Sequence, residues 1–310
     1  MNLLFENWNK FLSEEAQLEK GGEKGTISLP SFKISEKWGE PGTDDRQIIE
    51  MFTSKIKGNT LGEKIASLQQ FVKDCDEACV ATKDIPEILG NLVFLDSLAS
   101  LIYDFNDKTG GFLFESILAV LLGGQARQVP TPGGRYQAIE DLLDAEGQPL
   151  SLKLLFAGPK YIKGSWQNLE TAIEKYQQPI KYIVALKNRE HKTGTVVSID
   201  FYSFTIGNRE GGFAGDFDSY DLSSGIYTRD IEKDEYFLGT LDLGSRENIK
   251  KIAQKYADQL GDNLTEIYDQ MDKLSRNVNT YFLNSPDAKQ AALKAQKNAT
   301  TLKKDVDEYV

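Results

Sequence analysis

The apolar positions of this chain change period several times, and each change marks an element. Leu4, Phe5, Trp8, Phe11 and Leu12 recur every three or four residues, so residues 1–17 are expected to form a short amphipathic helix. Gly21, Gly22 and Gly25 and a turn-rich stretch up to residue 44 break that pattern and make the helix a detachable element. Helical spacing returns over 45–106, through Ile48, Ile49, Met51 and Phe52, then Leu61, Ile65, Leu68, Phe71 and Val72, then Ile85 to Leu98. Residues 113–122 are almost continuously apolar apart from Glu115 and Ser116, which predicts a buried helix. Around the turn Ala145-Glu146-Gly147-Gln148 the pattern becomes that of a β-hairpin, with strands expected over 137–144 and 149–156. Ser165 is placed to cap a helix over 165–176, and runs of high β-propensity at 180–186 and 194–204 extend the sheet. Residues 207–235, rich in Gly, Asp, Ser and Tyr, read as an irregular loop or lid. The last 65 residues are helical again: a stripe from Leu264 to Phe282, a break at Ser285-Pro286, and an Ala-rich helix. This hairpin of helices packs on its own domain or forms a homo-oligomer seam. The expected architecture is α/β: a leader and linker (1–44), a helical segment (45–108), a mixed-sheet core (109–245) and a C-terminal helical segment (246–310).

Composition narrows the chemistry. A chain of 310 residues, 40% hydrophobic, can bury a substantial core. It contains no run near the ~18 apolar residues of a membrane span, and its start lacks the basic-then-apolar profile of a secretory signal, so no membrane partner and an intracellular or particle-internal location are expected. Cys75 and Cys79, four residues apart on one helical face, are expected as free thiols, since one distant histidine cannot complete a zinc set. That histidine, His191, falls in an expected hairpin tip, which excludes serine–histidine triads and imidazole metal sites.

The net charge of −11 opposes nonspecific attraction to polyphosphate, yet the charge is unevenly spread. Between Ser151 and Lys192, eight basic residues face three acidic ones, a local +5 that leaves −16 for the remainder. Arg127 and Arg135 lie just upstream, and with Lys160 and Lys163 they are the candidate DNA-binding residues.

Strand alternation assigns the candidate catalytic residues. Asp141 shares a face with Ile139 and Leu143, and Ser151 shares one with Lys153. An odd-numbered loop projects Asp141 and Lys153 to the same side, whereas a one-residue slip favours Glu140 or Asp144 instead. Phosphodiester hydrolysis needs a hard divalent cation, held by carboxylate oxygens, and a positive group beside the attacking water. Asp141 suits the first role and Lys153 the second. Glu115, an acid within a buried helix, needs a partner or a metal unless it is a helix-start carboxylate near Thr109-Gly110-Gly111.

Glu115 on a helix, Asp141 on a strand and Lys153 at the end of the next strand resemble the PD-(D/E)xK nuclease superfamily, which includes many restriction enzymes. The resemblance spans about 100 residues and implies a restriction-endonuclease-like core, Mg2+ or Mn2+ as cofactor, and DNA as substrate. Ser151 stands where that superfamily usually carries an acid. The resemblance therefore implies a second carboxylate from Glu115 or from the following helix, with Glu170 first and Glu174 in reserve. The competing expectations are a non-catalytic virion structural or packaged protein on the same fold, and an unrelated binding module.

The N-terminal helix, with Leu12-Ser13-Glu14, resembles the leader segments of proteins packed into the heads of T-even-like tailed bacteriophages. That resemblance implies prohead targeting, cleavage after Glu14 by the prohead protease, phage head proteins as partners, and location in the host cytoplasm or within the virion.

Overall fold

The computed structural model describes residues 34, 36–77, 85–104, 107–123, 125–126, 139–190 and 195–243, with scattered positions between 251 and 301. The chain divides into two compact units, and the larger, Ser31–Ala78 with Leu89–Ile249, holds every strand described below. Residues on both sides of position 108 belong to it. In the smaller unit the described residues are the first turn of one helix, 85–88, and positions between 251 and 301, all helical.

After a 3-10 turn at Glu36–Gly39 come four helices: α1 (Asp44–Thr53), α2 (Leu61–Glu77), α3 (Ile85–Asp104) and α4 (Asp107–Leu121). Thr43 caps α1 by accepting the Arg46 N–H at 3.3 Å. Arg46 itself is 1% exposed, and its guanidinium donates to the carbonyls of Trp38 (2.8 Å) and Ala119 (3.3 Å) and to Glu50 (2.6 Å). This buried cation satisfies a late carbonyl of α4 and ties α1 to it.

Beyond α4 the order is β1 (Gln125–Ala126), β2 (Leu142–Leu143), β3 (Pro149–Phe156), β4 (Tyr161–Ile162), α5 (Trp166–Tyr176), β5 (Ile180–Arg189), β6 (Val196–Ile206), α6 (Ser219–Ser224), β7 (Ile226–Tyr227), α7 (Thr228–Ile231) and β8 (Phe237–Asp242). Six strands form a mixed sheet in the order β1-β2-β3-β5-β6-β8, and β4 pairs with β7 in a separate ribbon. Among the described strands of this sheet only β3 and β5 are parallel, joined through α5 as a crossover demands. The α/β class expected from periodicity is the one observed.

Strand β5 is nearly continuously apolar from Tyr182 to Leu186, because helices cover both sheet faces. On one face Leu169, Ala172 and Ile173 of α5 pack with Tyr182, Val184, Leu186 and Phe204. The opposite face belongs to α2: a Cβ added at Gly239, which pairs with Phe201, would meet Ile65 at 3.1 Å. Helix α4 lies against β1, β2 and β3.

Two expectations change here. Residues 207–235 are not simply irregular, since α6, β7 and α7 form within them, with Asp218 and Asp221 making a reciprocal capping box at the start of α6. Helix α4 begins at Asp107, so Glu115 sits past its first turn, beyond the reach of a helix-start dipole. The leader helix, Cys79, His191 and the Leu264–Phe282 stripe, apart from Lys273, Leu274 and Arg276, lie outside the described residues, as does the side chain of Cys75.

Candidate active site

The β2–β3 connection sets the register. Leu142 stands opposite Leu150 and Leu143 opposite Pro149, leaving residues 144–148 as the connection. Asp144 Oδ1 accepts the N–H groups of Glu146 (3.0 Å) and Gln148 (2.8 Å), and Gly147 takes φ +82°. An Asp side chain that mimics a backbone turn, followed by a residue free to adopt positive φ, closes this odd-numbered loop. Strand β2 is far shorter than the expected 137–144: Asp141 occupies a bend before it, and its side chain meets the strand's neighbour instead of standing in a long ladder. Register nevertheless carries one step further, because the Asp141 N–H donates to the Leu150 carbonyl at 2.8 Å. Asp141, Ser151 and Lys153 consequently share one face, the face covered by α5.

Their side chains converge. Asp141 Oδ2 accepts from the Leu152 N–H (2.6 Å), Ser151 Oγ (3.2 Å) and Lys153 Nζ (3.4 Å). Lys153 Nζ also donates to Ser151 Oγ (3.0 Å) and the Leu152 carbonyl (2.9 Å). Asp141 Oδ1 accepts no hydrogen bond among the described residues. The Lys153 and Asp141 side chains are 32% and 24% exposed, so the pair is open to solvent on one side. Ser151, 1% exposed, links the two charged groups.

Tyr182 lies beneath this group, directly beside Ser151 in the parallel pairing, stacked on Phe204 with ring centroids 5.3 Å apart. Burial raises the pKa of its hydroxyl far above the ordinary value and the Asp141 charge adds to this, with a Ser151 hydrogen bond only partly opposing. The phenol remains a neutral hydrogen-bonding group throughout the physiological range. Its ring also lies 6.0 Å from Lys153 Nζ.

The register alternatives, Glu140 and Asp144, are both committed elsewhere. Asp144 ties the connecting loop. The Glu140 side chain is fully buried and accepts from Lys175 Nζ (2.9 Å) and the Tyr176 hydroxyl (2.8 Å), both on α5. Burial opposes its ionisation, but the Lys175 hydrogen bond, a backbone hydrogen bond, the Tyr176 hydrogen bond and the Lys175 charge outweigh this and hold its pKa below the ordinary value. Lys175 is correspondingly raised, by its hydrogen bonds to Tyr176 and Glu140 and by the Glu140 charge acting against its own desolvation.

The proposed second carboxylates are not drawn to Asp141 by any described contact. Ser165 does cap α5, accepting the Asn168 N–H at 3.3 Å, but Glu170 Oε1 accepts from Asn208 Nδ2 at 3.0 Å, in the turn that follows β6. Glu174 is exposed on α5, and Glu115 is half-buried on α4 between the buried Phe114 and Ser116. No group of three His, Cys, Asp or Glu residues arranged to hold a metal occurs among the described residues. A divalent cation would find Asp141 Oδ1 open, but another carboxylate must reach it.

Of the candidate DNA-binding residues, Lys160 and Lys163 are exposed on the β4 approach, whereas Arg127 and Arg135 lie outside the described residues. Sequence reasoning missed Tyr182 and the Glu140–Lys175–Tyr176 cluster. A tyrosine alternating with Ile180, Val184 and Leu186 was the available signal for the first, because a phenol on a buried face needs a partner. The second carries no local signal, being assembled from residues 35 positions apart.

No helix among the described residues is long and apolar enough to cross a membrane. Compared with family models, curated proteins and solved structures, the chain matches none.

Proposed function

We propose that the protein is a metal-dependent nuclease that hydrolyses DNA phosphodiester bonds, with Asp141 and Lys153 at its centre. The observation that carries this reading is the convergence of Asp141, Ser151 and Lys153 on one sheet face, flanked in the chain by α4 with Glu115 and by α5 with Glu170. That is the order in which the resembling nucleases present their helix acid, strand acid and lysine. Asp141 Oδ1 is a hard oxygen ligand suited to Mg2+ or Mn2+, which when bound supplies Lewis-acid polarisation of the phosphate. Lys153, held by Ser151 Oγ and the Leu152 carbonyl, keeps its ammonium at the solvent edge, where it orients the attacking water. Glu170, held by Asn208 in this structure, would complete the ligand set on exchanging that partner, with Glu174 in reserve and Glu115 a further candidate.

One arrangement favours a second reading, a non-catalytic virion or packaged internal protein on the same fold. Lys153 has three acceptors within hydrogen-bond range, Ser151 fills the acid position, and Glu170 is engaged by Asn208, as in a self-satisfied structural cluster. The test is incubation of the purified protein with plasmid and single-stranded DNA in Mg2+, Mn2+ or chelator, with Lys153→Ala alongside. Metal-dependent nicking that vanishes in the variant supports the nuclease, and no cutting of any substrate moves the weight to the second reading. A phage origin is tested separately: mass spectrometry of assembled particles should find the chain beginning after Glu14, and an intact Met1 end would remove the leader assignment.

A further inference from the structure

Where β3 ends, the chain runs through a surface of aromatic rings interleaved with cations. Lys187 Nζ and the Arg189 guanidinium lie 3.8 and 3.5 Å from the Phe156 ring centroid, and Lys160 Nζ lies 5.6 Å from it. The antiparallel β4–β7 ribbon continues the pattern. Ile162 and Ile226 point into the core, so their neighbours Tyr161 and Tyr227 turn outward, paired at 4.8 Å. Lys163 Nζ is 5.6 Å from the Tyr161 ring and the Arg229 guanidinium 4.5 Å from the Tyr227 ring.

The ribbon is a built element. Thr228 Oγ1 donates to the Gly158 carbonyl (3.0 Å), and the Thr228 N–H donates to the Lys160 carbonyl (2.9 Å). Gly225, at φ +94°, lets the backbone pass beneath Tyr161 and Lys163, where a Cβ would meet their side chains at 3.1 and 3.0 Å. Among the described residues Lys160, Lys163, Arg189 and Arg229 make no ion pair. Segments 156–166, 187–190 and 226–230 expose four cations, Lys160, Lys163, Arg189 and Arg229, against two carboxylates, Glu190 and Asp230, in a chain of net charge −11, while Lys187 is buried behind them. Tyr161 and Trp166 remain 58% and 50% exposed, Tyr161 even with Tyr227 beside it.

We infer that this surface binds single-stranded polynucleotide, with Tyr161, Tyr227 and Trp166 offering faces for unstacked bases and Lys160, Lys163 and Arg229 neutralising the phosphates. Uncompensated cations answer the backbone charge, and exposed rings need base faces that a duplex keeps stacked, which selects the single strand. The inference deepens the nuclease reading, on which its link to cleavage rests, by naming the form of the substrate.

The experiment is fluorescence anisotropy of the full chain with labelled oligothymidine of about 20 nucleotides, matched RNA and matched duplex, in chelator at about 50 mM salt. The expected results are binding of the single strands in preference to duplex, affinity that falls as salt rises, and about tenfold weaker binding by Tyr161→Ala/Arg229→Ala with an unchanged melting temperature. Lys163→Gln, changing a solvent-exposed group alone, should weaken binding with a shallower salt slope. Absence of single-strand binding, duplex preference, or undiminished binding by these variants overturns the inference. Because chelator suppresses cleavage, wild-type binding without cleavage in later Mg2+ trials leaves the binding surface standing and removes the nuclease. Cleavage without the single-strand preference does the reverse.

Discussion

The two oxygens of Asp141 stand in different settings, one hydrogen-bonded and one the proposed metal ligand, and substitution should separate their contributions. Its Oδ2 receives the Leu152 N–H at 2.6 Å, Ser151 Oγ at 3.2 Å and Lys153 Nζ at 3.4 Å, while Oδ1 is the proposed metal ligand. Asn at this position keeps an acceptor for the Leu152 N–H but loses the charge. At 24% and 32% exposure the ion pair is partly screened, so Asp141→Asn should cost about 1 kcal/mol of stability. Asp141→Ala also leaves the amide of Leu152, a residue only 5% exposed, without its charge-assisted bond, for about 2–3 kcal/mol in all. Cleavage should respond in another way. Removing a metal ligand withdraws on the order of 4 kcal/mol of transition-state stabilisation, about a thousandfold in rate, for either variant. Urea denaturation gives the first quantity and initial rates of plasmid nicking in Mg2+ the second. An Asp141→Asn protein that nicks at the wild-type rate refutes the catalytic assignment. A stability loss of equal size in both variants refutes the division of labour between the two oxygens.

Lys153→Ala should melt within about 1 kcal/mol of wild type, since its pair is half open to water, yet abolish nicking; residual nicking above a tenth of wild type would sink its role. Glu140 has its pKa depressed in the folded state, so its contribution to stability is present above its ordinary pKa of 4.5 and is lost as pH falls through the lower folded value. Glu140→Gln should therefore flatten the dependence of melting temperature on pH below about 4.5 and cost about 1–2 kcal/mol at neutral pH; an unchanged acid profile would show that the buried pair is not the linked group. Gly207→Ala should destabilise by about 2 kcal/mol or more, because the new Cβ would meet the backbone of Phe213 and Gly215, and calorimetry showing no loss would mean that the turn after β6 can shift freely.

Legibility tracked the range of the interactions. The strand at 149–156, the Ser165 cap and the buried helix around 113–122 were all readable because each depends on residues within about a dozen positions, whereas the β2–β3 register stayed open between Asp141 and its neighbours until the five-residue connection fixed it. Alternation and turn chemistry fix such features before any packing occurs. What could not be read was the length of β2 and the fate of the acids. Glu170 lies one helix away from Asp141 in sequence, but its side chain is taken by Asn208, 38 residues on. Glu140, offered by the sequence only as a slipped-register substitute for Asp141, is captured by Lys175 and Tyr176 when α5 crosses over to start β5.

The sequence by itself determined the α/β class and the elements around the site, and offered Asp141, Glu140 or Asp144 as the acid that faces Lys153. Tertiary structure decided what surrounds them: parallel pairing of β3 with β5 set Tyr182 beside Ser151, and the β4–β7 ribbon joined Tyr161 to Tyr227, 66 residues later. The physical reason is that local periodicity and capping are short-range energies written residue by residue. Pairings between distant strands are instead chosen by which arrangement buries the most apolar surface, a property of the whole packed unit.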